Sequence, residues 1–232
     1  MTVDLTTLGN LAGALQARAK PARNVTGSWY RIENSAAKAE MWIYDSIGEF
    51  GVGASDFVND LRALGNQPVD LHVNSEGGQV WDGIGIYTAL KQHPAHVTAY
   101  VDSLAASAAS FIVMAADTVV MAKQARLFVH EAQGLVVGNA KDMRDTAAVL
   151  DDLSENIASI YDDRAGGGVK KWRKAMNAET WYSAEAAVRE GLADSIDRPP
   201  SAAPENSITS TTETTARWDP QQFANLMKGV FE

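Results

Sequence analysis

The stretch VDSLAASAASFIVMAAD, residues 101–117, decides how this chain is built. It follows HVTAY (residues 96–100), so a β-rich run passes through Ser103 into alanines, two serines and an apolar run that stops at Asp117. Three architectures compete for it: a membrane span, a buried core helix, or a strand that hands over to a helix with Ser107 at the junction. The run Leu104–Ala116 includes two serines and falls short of the roughly 20 apolar residues that cross a bilayer, which argues against the span. The strand-to-helix reading places the Ser107 hydroxyl at a helix N-terminus, where unpaired amides favour developing negative charge. A plain N-cap serine ahead of a tight packing surface is the other reading, and this stretch alone does not separate the two. Ala105, Ala106, Ala108 and Ala109 are read as leaving room for a substrate backbone.

Working outward, residues 28–197 alternate short β-rich runs with helical patterns, the mark of β-α units rather than an all-β sandwich. AEMWIYDSIG (39–48) reads as a strand ending in glycine. SDFVNDLRALG (55–65) reads as a helix capped by Ser55, with Phe57, Val58, Leu61 and Leu64 on one face and Gly65 as its stop. VDLHVNS (69–75) alternates Val69, Leu71 and Val73 with polar residues and is a strand. EGGQVWDG turns the chain into the helix IGIYTALKQ (84–92), ahead of Pro94. ADTVVMA and ARLFVHEA (116–122 and 125–132) are two more extended runs. From Asn139 to Arg164, Met143, Ala147, Leu150, Leu153, Ile157, Ile160 and Tyr161 recur every three or four residues, and Gly166–Gly168 close the pattern. This long helix packs either on its own domain or on a neighbouring subunit.

Composition narrows the function. The chain has 232 residues, a net charge of -9 without a basic stripe, and 46% hydrophobic residues. That suits one domain with a sizeable core and speaks against a partner gripped through its phosphates. With no cysteine, thiolate catalysis and cysteine-rich zinc sites fall away, so a covalent nucleophile must be Ser or Thr. The N-terminal MTVDLTTLGNLAGALQARAK lacks the basic start and apolar core of a secretory signal, so an intracellular protein is expected. The stretch PPSAAPENSITSTTETTAR (199–217) has the composition of a disordered linker, and WDPQQFANLMKGVFE (218–232) regains helical spacing. The expected division is a 1–27 extension, a 28–198 domain, a 199–217 linker and a 218–232 helix.

A serine nucleophile needs a base, and there are four histidines. His72 points outward on its strand. His93 and His96 flank Pro94 in a turn, with a metal pair and solvated turn residues as the two readings. His130 ends the apolar run ARLFV where a strand leaves the sheet, as Ser107 does, and catalytic groups collect at such strand ends. Gly77 and Gly78 after a strand let a backbone approach and expose amides suited to an oxyanion; a plain Gly-Gly turn fits equally.

VNSEGGQVWDGIGIYTAL, VDSLAASAASFIVMAAD, RLFVHEAQG and ETWYSAEAAVREGLAD, in that order, resemble the successive motifs of the Clp proteolytic subunit family. The phage branch, the head maturation (prohead) proteases, is the most similar part of it. The resemblance runs from about Ala39 to Asp197. It implies an α/β, ClpP/crotonase-type fold of repeated β-β-α units with a long oligomerisation helix, Ser107 as nucleophile, His130 as general base, and an oxyanion hole from the Gly78 and Ala108 amides. The family's acid, commonly aspartate, falls at Glu179, about 1.5 Å longer by one methylene. Glu76 and Ser103 stand where the family usually has proline and glycine. Ser110 lies one turn deeper than Ser107 and is expected to pack or bond to backbone.

The function implied is a serine endopeptidase that processes capsid and scaffold proteins during virion maturation, in host cytoplasm or procapsid interior. No cofactor, metal, nucleic acid or membrane is expected as a partner; a homo-oligomeric ring is. The alternatives are a Clp-type subunit that works with an ATPase, a catalytically silent scaffolding protein of the same fold, and a crotonase-type acyl-CoA enzyme. The last shares the Gly-Gly turn but has no use for Ser107 and His130.

Overall fold

Five short apolar stretches with period-two alternation are enough to make a parallel sheet, and the computed structural model shows how they are ordered. It describes residues 33–34, 38–48 and 53–197. The expected 1–27 extension, the 199–217 linker and the 218–232 helix lie outside the described residues.

The strands are β1 (Glu33–Asn34), β2 (Ala39–Ile43), β3 (Val69–Ser75), β4 (Val97–Ala106), β5 (Thr118–Ala122), β6 (Arg126–Val129), β7 (Thr180–Ser183) and β8 (Ser195–Asp197). They run in the order β1-β2-β3-β4-β5-β8, with β6 on β4 and β7 on β6. The pairs from β2 to β5, β5 with β8 and β4 with β6 are parallel; β1 with β2 and β6 with β7 are antiparallel. Helices α1 (Ala54–Ala63), α2 (Val80–Lys91), α3 (Ala108–Ile112, prolonged by a 3-10 turn Val113–Ala115), α4 (Ala140–Ala165), α5 (Val169–Asn177) and α6 (Ala184–Glu190) complete the described part. This is the α/β architecture expected, with the long helix in place.

β4 is the hinge of the sheet. Its first half, Thr98–Val101, pairs with β5, and its second half, Leu104–Ala106, pairs with β6. One strand thereby serves two neighbours, and the sheet splits where it approaches Ser107. The strand extends past Ser103, its expected end, and the small methyl side chains of Ala105 and Ala106 leave room for a second partner. Both are buried. The apolar run after Ser107 is the most enclosed part of the chain: Ala109, Ile112 and Val113 are fully buried and Phe111 nearly so. It is continuously apolar because sheet and helices surround it. No helix among the described residues is long and apolar enough to cross a membrane.

Two local expectations are corrected and one helix is added. The N-cap of α1 is Gly53, not Ser55, because the chain already turns helical at Ala54 and Phe57 N–H reaches Gly53 O. Helix α2 begins at Val80, four residues before Ile84, since Gln79 caps directly out of the glycine turn. Its Gly83 lies against α3: a Cβ there would stand 2.7 Å from Phe111 Cζ and 3.1 Å from Ala108 Cβ. Helix α5 was not foreseen; its short basic sequence VKKWRKAMN hides an inner face of two residues, Trp172 and Met176.

Helix α4 starts with a capping box, Asn139 Oδ1 accepting from the Lys141 and Asp142 amides while Asp142 accepts from the Asn139 amide. Its C-terminal half packs inward through Leu153, Ile157, Ala158, Ile160 and Tyr161. Its N-terminal half does not: Met143 is 51% and Val149 53% exposed. The reading of a helix packed on its own domain holds for the C-terminal half, and the N-terminal half is left exposed in the single chain.

Candidate active site

Ser107 is the single residue between β4 and α3, at φ 54° and ψ -124°. For a residue with a Cβ this region costs about 1–3 kcal/mol and persists only where the surroundings enforce it. Here they do. Ser107 N–H donates to Phe128 O at 3.0 Å, and Ser107 O accepts from the Ser110 amide at 2.9 Å and the Ser110 hydroxyl at 2.5 Å. The sharp turn directs Ser107 Oγ at His130 Nε2, 2.7 Å away. Ser107 and His130, 23 residues apart, meet because their strands β4 and β6 are parallel neighbours that end together.

The alanines around Ser107 were read as leaving room for a substrate. All four are buried, and their size serves the packing of the turn instead. A Cβ on Gly77 would fall 2.6 Å from Ser107 Cβ and 2.8 Å from Ala108 N. The two turns are thus stacked backbone on backbone, which larger side chains would prevent.

The Gly-Gly turn is held by Ile47. Ile47 N–H donates to Gly77 O at 2.8 Å and Gln79 N–H donates to Ile47 O at 2.7 Å. This parallel bridge uses the groups either side of Gly78, so the Gly78 N–H faces the opposite edge. A Cβ at Gly78 would overlap Ile47 O at 1.9 Å, so only glycine fits. Ser75, buried, accepts from the Gly77 amide and donates to Asp45 O, fixing the entry to the turn. Ala108 stands in the first turn of α3, where amides have no intrahelical acceptor. Each of the two stacked turns therefore carries one amide outside the backbone bonding, Gly78 in one and Ala108 in the other.

His130 is braced by a stack of rings. Its imidazole lies 5.3 Å from Phe128, which lies 4.4 Å from Trp181 on the antiparallel partner strand β7. If Nε2 is to accept from the serine, the ring proton must sit on Nδ1. Nδ1 is buried and has no hydrogen-bond partner, an arrangement that costs about 1–3 kcal/mol for a donor without an acceptor.

Glu179 does not fill that place. It sits at φ 49° between α5 and β7, exposed, its amide bonded to Met176 O. Its side chain lines a shallow cavity with Glu131, Ala132, Gln133, Met176 and Asn177. Glu131, next to His130, is engaged elsewhere: Arg173 grips it at 3.0–3.1 Å and also holds Asp151 at 3.2 Å and Glu155 at 3.4 Å. The structure therefore brings together Ser107 and His130, packs the Gly77–Gly78 turn against Ser107 and Ala108, and leaves Glu179 with no bond to the imidazole.

The other histidines are occupied separately. His93 Nε2 bonds Gln67 O and His96 pairs with Thr118 and Asp117. They do not converge, and no group of three metal-ligating side chains occurs among the described residues. His72 belongs to a cluster that sequence reasoning missed. Its Nδ1 meets Asp102 at 2.9 Å, Tyr44 hydroxyl donates to the same carboxylate, and Trp42 and Tyr100 stack on either side of the ring. The register Trp42–His72–Tyr100 across β2, β3 and β4 builds it, and alternation alone gave only the outward direction of each residue.

A family model described as Clp protease matches residues 28–199. The chain is 34% identical over 153 residues to an ATP-dependent Clp protease proteolytic subunit of Mesostigma viride, covering 65% of this chain and 66% of that protein. It is 33% identical over 153 residues to the subunit of the same name from Chlorokybus atmophyticus, covering 65% and 67%. It is 26% identical over 133 residues to proteolytic subunit 1 of Salinibacter ruber, covering 56% and 57%. The chain spans about two thirds of the length of the first of these relatives and less of the last.

Proposed function

We propose, from the premise that this chain belongs to the Clp protease family, that it is a serine endopeptidase. The observation that carries the reading is the strained Ser107 with its hydroxyl 2.7 Å from His130 Nε2. His130 takes the Ser107 proton as Oγ attacks a peptide carbonyl, and later gives it to the leaving amine. The Gly78 and Ala108 amides hold the oxygen of the tetrahedral intermediate, a contribution of about 10²–10³-fold per donor in rate. Glu179 is the acid in this reading: it stands at the position of the family's acid and lines a cavity with Glu131, the neighbour of His130, whose Nδ1 lacks an acceptor. Ring assembly through the uncovered half of α4 is part of this reading.

The finer setting we propose is phage head maturation, with capsid and scaffold proteins as substrates in host cytoplasm or procapsid interior. It is supported by the ETWYSAEAA motif and the Ser/Thr-rich 199–217 stretch. A second reading, a proteolytic subunit working with an ATPase, is favoured by the names of the relatives. The test is digestion of casein and of procapsid-assembled capsid protein by the full chain, without nucleotide and with a Clp ATPase plus ATP. Cleavage of both without nucleotide, lost in Ser107→Ala, is expected. ATP-dependent cleavage alone favours the second reading, and no cleavage under any condition contradicts peptidase activity.

A further inference from the structure

Ser110 and Tyr161 are two buried hydroxyls outside the proposed catalytic set, joined to each other at 2.6 Å across 51 residues of chain. Ser110 is fully buried and Tyr161 is 1% exposed. Protons can be counted along the line they form. Ser110 Oγ has one, and gives it to Ser107 O at 2.5 Å. Tyr161 must therefore donate to Ser110 Oγ, and burial, which pushes its phenol well above the ordinary tyrosine range, keeps that proton on. The line runs from Tyr161 hydroxyl to Ser110 hydroxyl to Ser107 carbonyl.

The carbonyl at its end matters because of what it is bonded to. A trans peptide is planar, so Ser107 C=O and Ala108 N–H are opposite ends of one rigid unit. Whatever holds Ser107 O also sets the direction of the Ala108 N–H. Both acceptor positions of Ser107 O are taken, by the Ser110 amide and the Ser110 hydroxyl. The far end of the line is held too, since Tyr161 packs on Trp172 at 5.8 Å and the Trp172 indole N–H is tied to Gly166 O.

We propose that Tyr161 and Ser110 are positioning residues: their hydroxyl relay locks the Ser107–Ala108 peptide plane so that the Ala108 amide points at the oxyanion. This rests on the proposed role of Ser107 as nucleophile. It ties the aim of that amide to helix α4, far away in sequence, and gives a physical reason for two hydroxyls buried together.

The test compares the full chain with Ser110→Ala, Tyr161→Phe and the double variant by two readouts: the rate at which a fluorophosphonate labels Ser107, and the urea unfolding midpoint. Ser110→Ala strands the Tyr161 hydroxyl, so its midpoint falls; the double variant removes both polar partners, so its midpoint recovers. Labelling does not follow stability. Ser110→Ala and the double variant both label at least about 10-fold more slowly, as a misaimed oxyanion donor requires, while Tyr161→Phe, which keeps the Ser110–Ser107 bond, is slowed less. Labelling that recovers with the midpoint in the double variant, or wild-type labelling in Ser110→Ala, overturns the relay and leaves the nucleophile standing. A wild-type chain that takes no adduct on Ser107 overturns the nucleophile assignment and the relay with it.

Discussion

At the scale of single residues, backbone strain and an unpaired ring nitrogen mark the same spot. Ser107 is forced into a conformation that serine avoids, and the force comes from bonds to Phe128 and Ser110 and from Gly77 stacked behind it. His72 shows the opposite case, a histidine with every need met. Its hydrogen bond to Asp102 raises its pKa above the ordinary 6.5; partial burial opposes this, and the charges of Asp102, Glu40 and Asp70 add to it. Because the folded pKa is the higher one, this pair stabilises the fold fully below pH 6.5 and the contribution is lost as pH rises through the folded value. Asp102→Asn should therefore lower the urea midpoint at pH 5.5 more than at pH 8.5; an equal drop at both contradicts the linkage. Sequence reasoning reached Ser107 and His130 as residues at two strand ends, and the ordered family motifs then gave them their roles. It did not reach the His72–Asp102 or Ser110–Tyr161 pairs, since alternation and spacing report facing, and partners 30 or 51 residues apart depend on register.

At the scale of elements, β4 and α4 do most to shape the site. β4 pairs with β5 and then with β6, which brings the ends that carry Ser107 and His130 side by side. Strands β2 to β6 were legible as short extended runs, whereas β1, β7 and β8 were too short to read and the strand order was not visible, because pairing across a parallel sheet leaves no local trace. Helix α5 escaped notice for the same kind of reason: a short helix with two inward residues has too little periodicity to read. Its absence from the sequence reading also hid the conformation of Glu179, which follows its C-cap Ala178. Helix α4 carries a prediction. Met143 and Val149 are exposed, so Met143→Glu with Val149→Glu should leave the unfolding free energy of the single chain within about 0.5 kcal/mol of wild type. If this half of α4 packs on a neighbouring copy, the same variant sediments as a smaller species. An unchanged sedimentation profile contradicts that packing.

At the scale of the whole molecule, the cysteine-free composition removed thiolate chemistry, and the described domain has a serine hydrogen-bonded to a histidine. The family match spans that same domain. What the single chain leaves open is the acceptor for His130 Nδ1, with Glu179 at the edge of the cavity and Glu131 held by Arg173. The most direct measurement is fluorophosphonate labelling of the purified full chain and of its His130→Ala variant, with the adduct located by mass spectrometry. A single adduct on Ser107, lost in His130→Ala, is the predicted result. An adduct on another serine such as Ser110, or equal labelling of Ser107 without His130, would contradict the assignment of Ser107 and His130 as nucleophile and base.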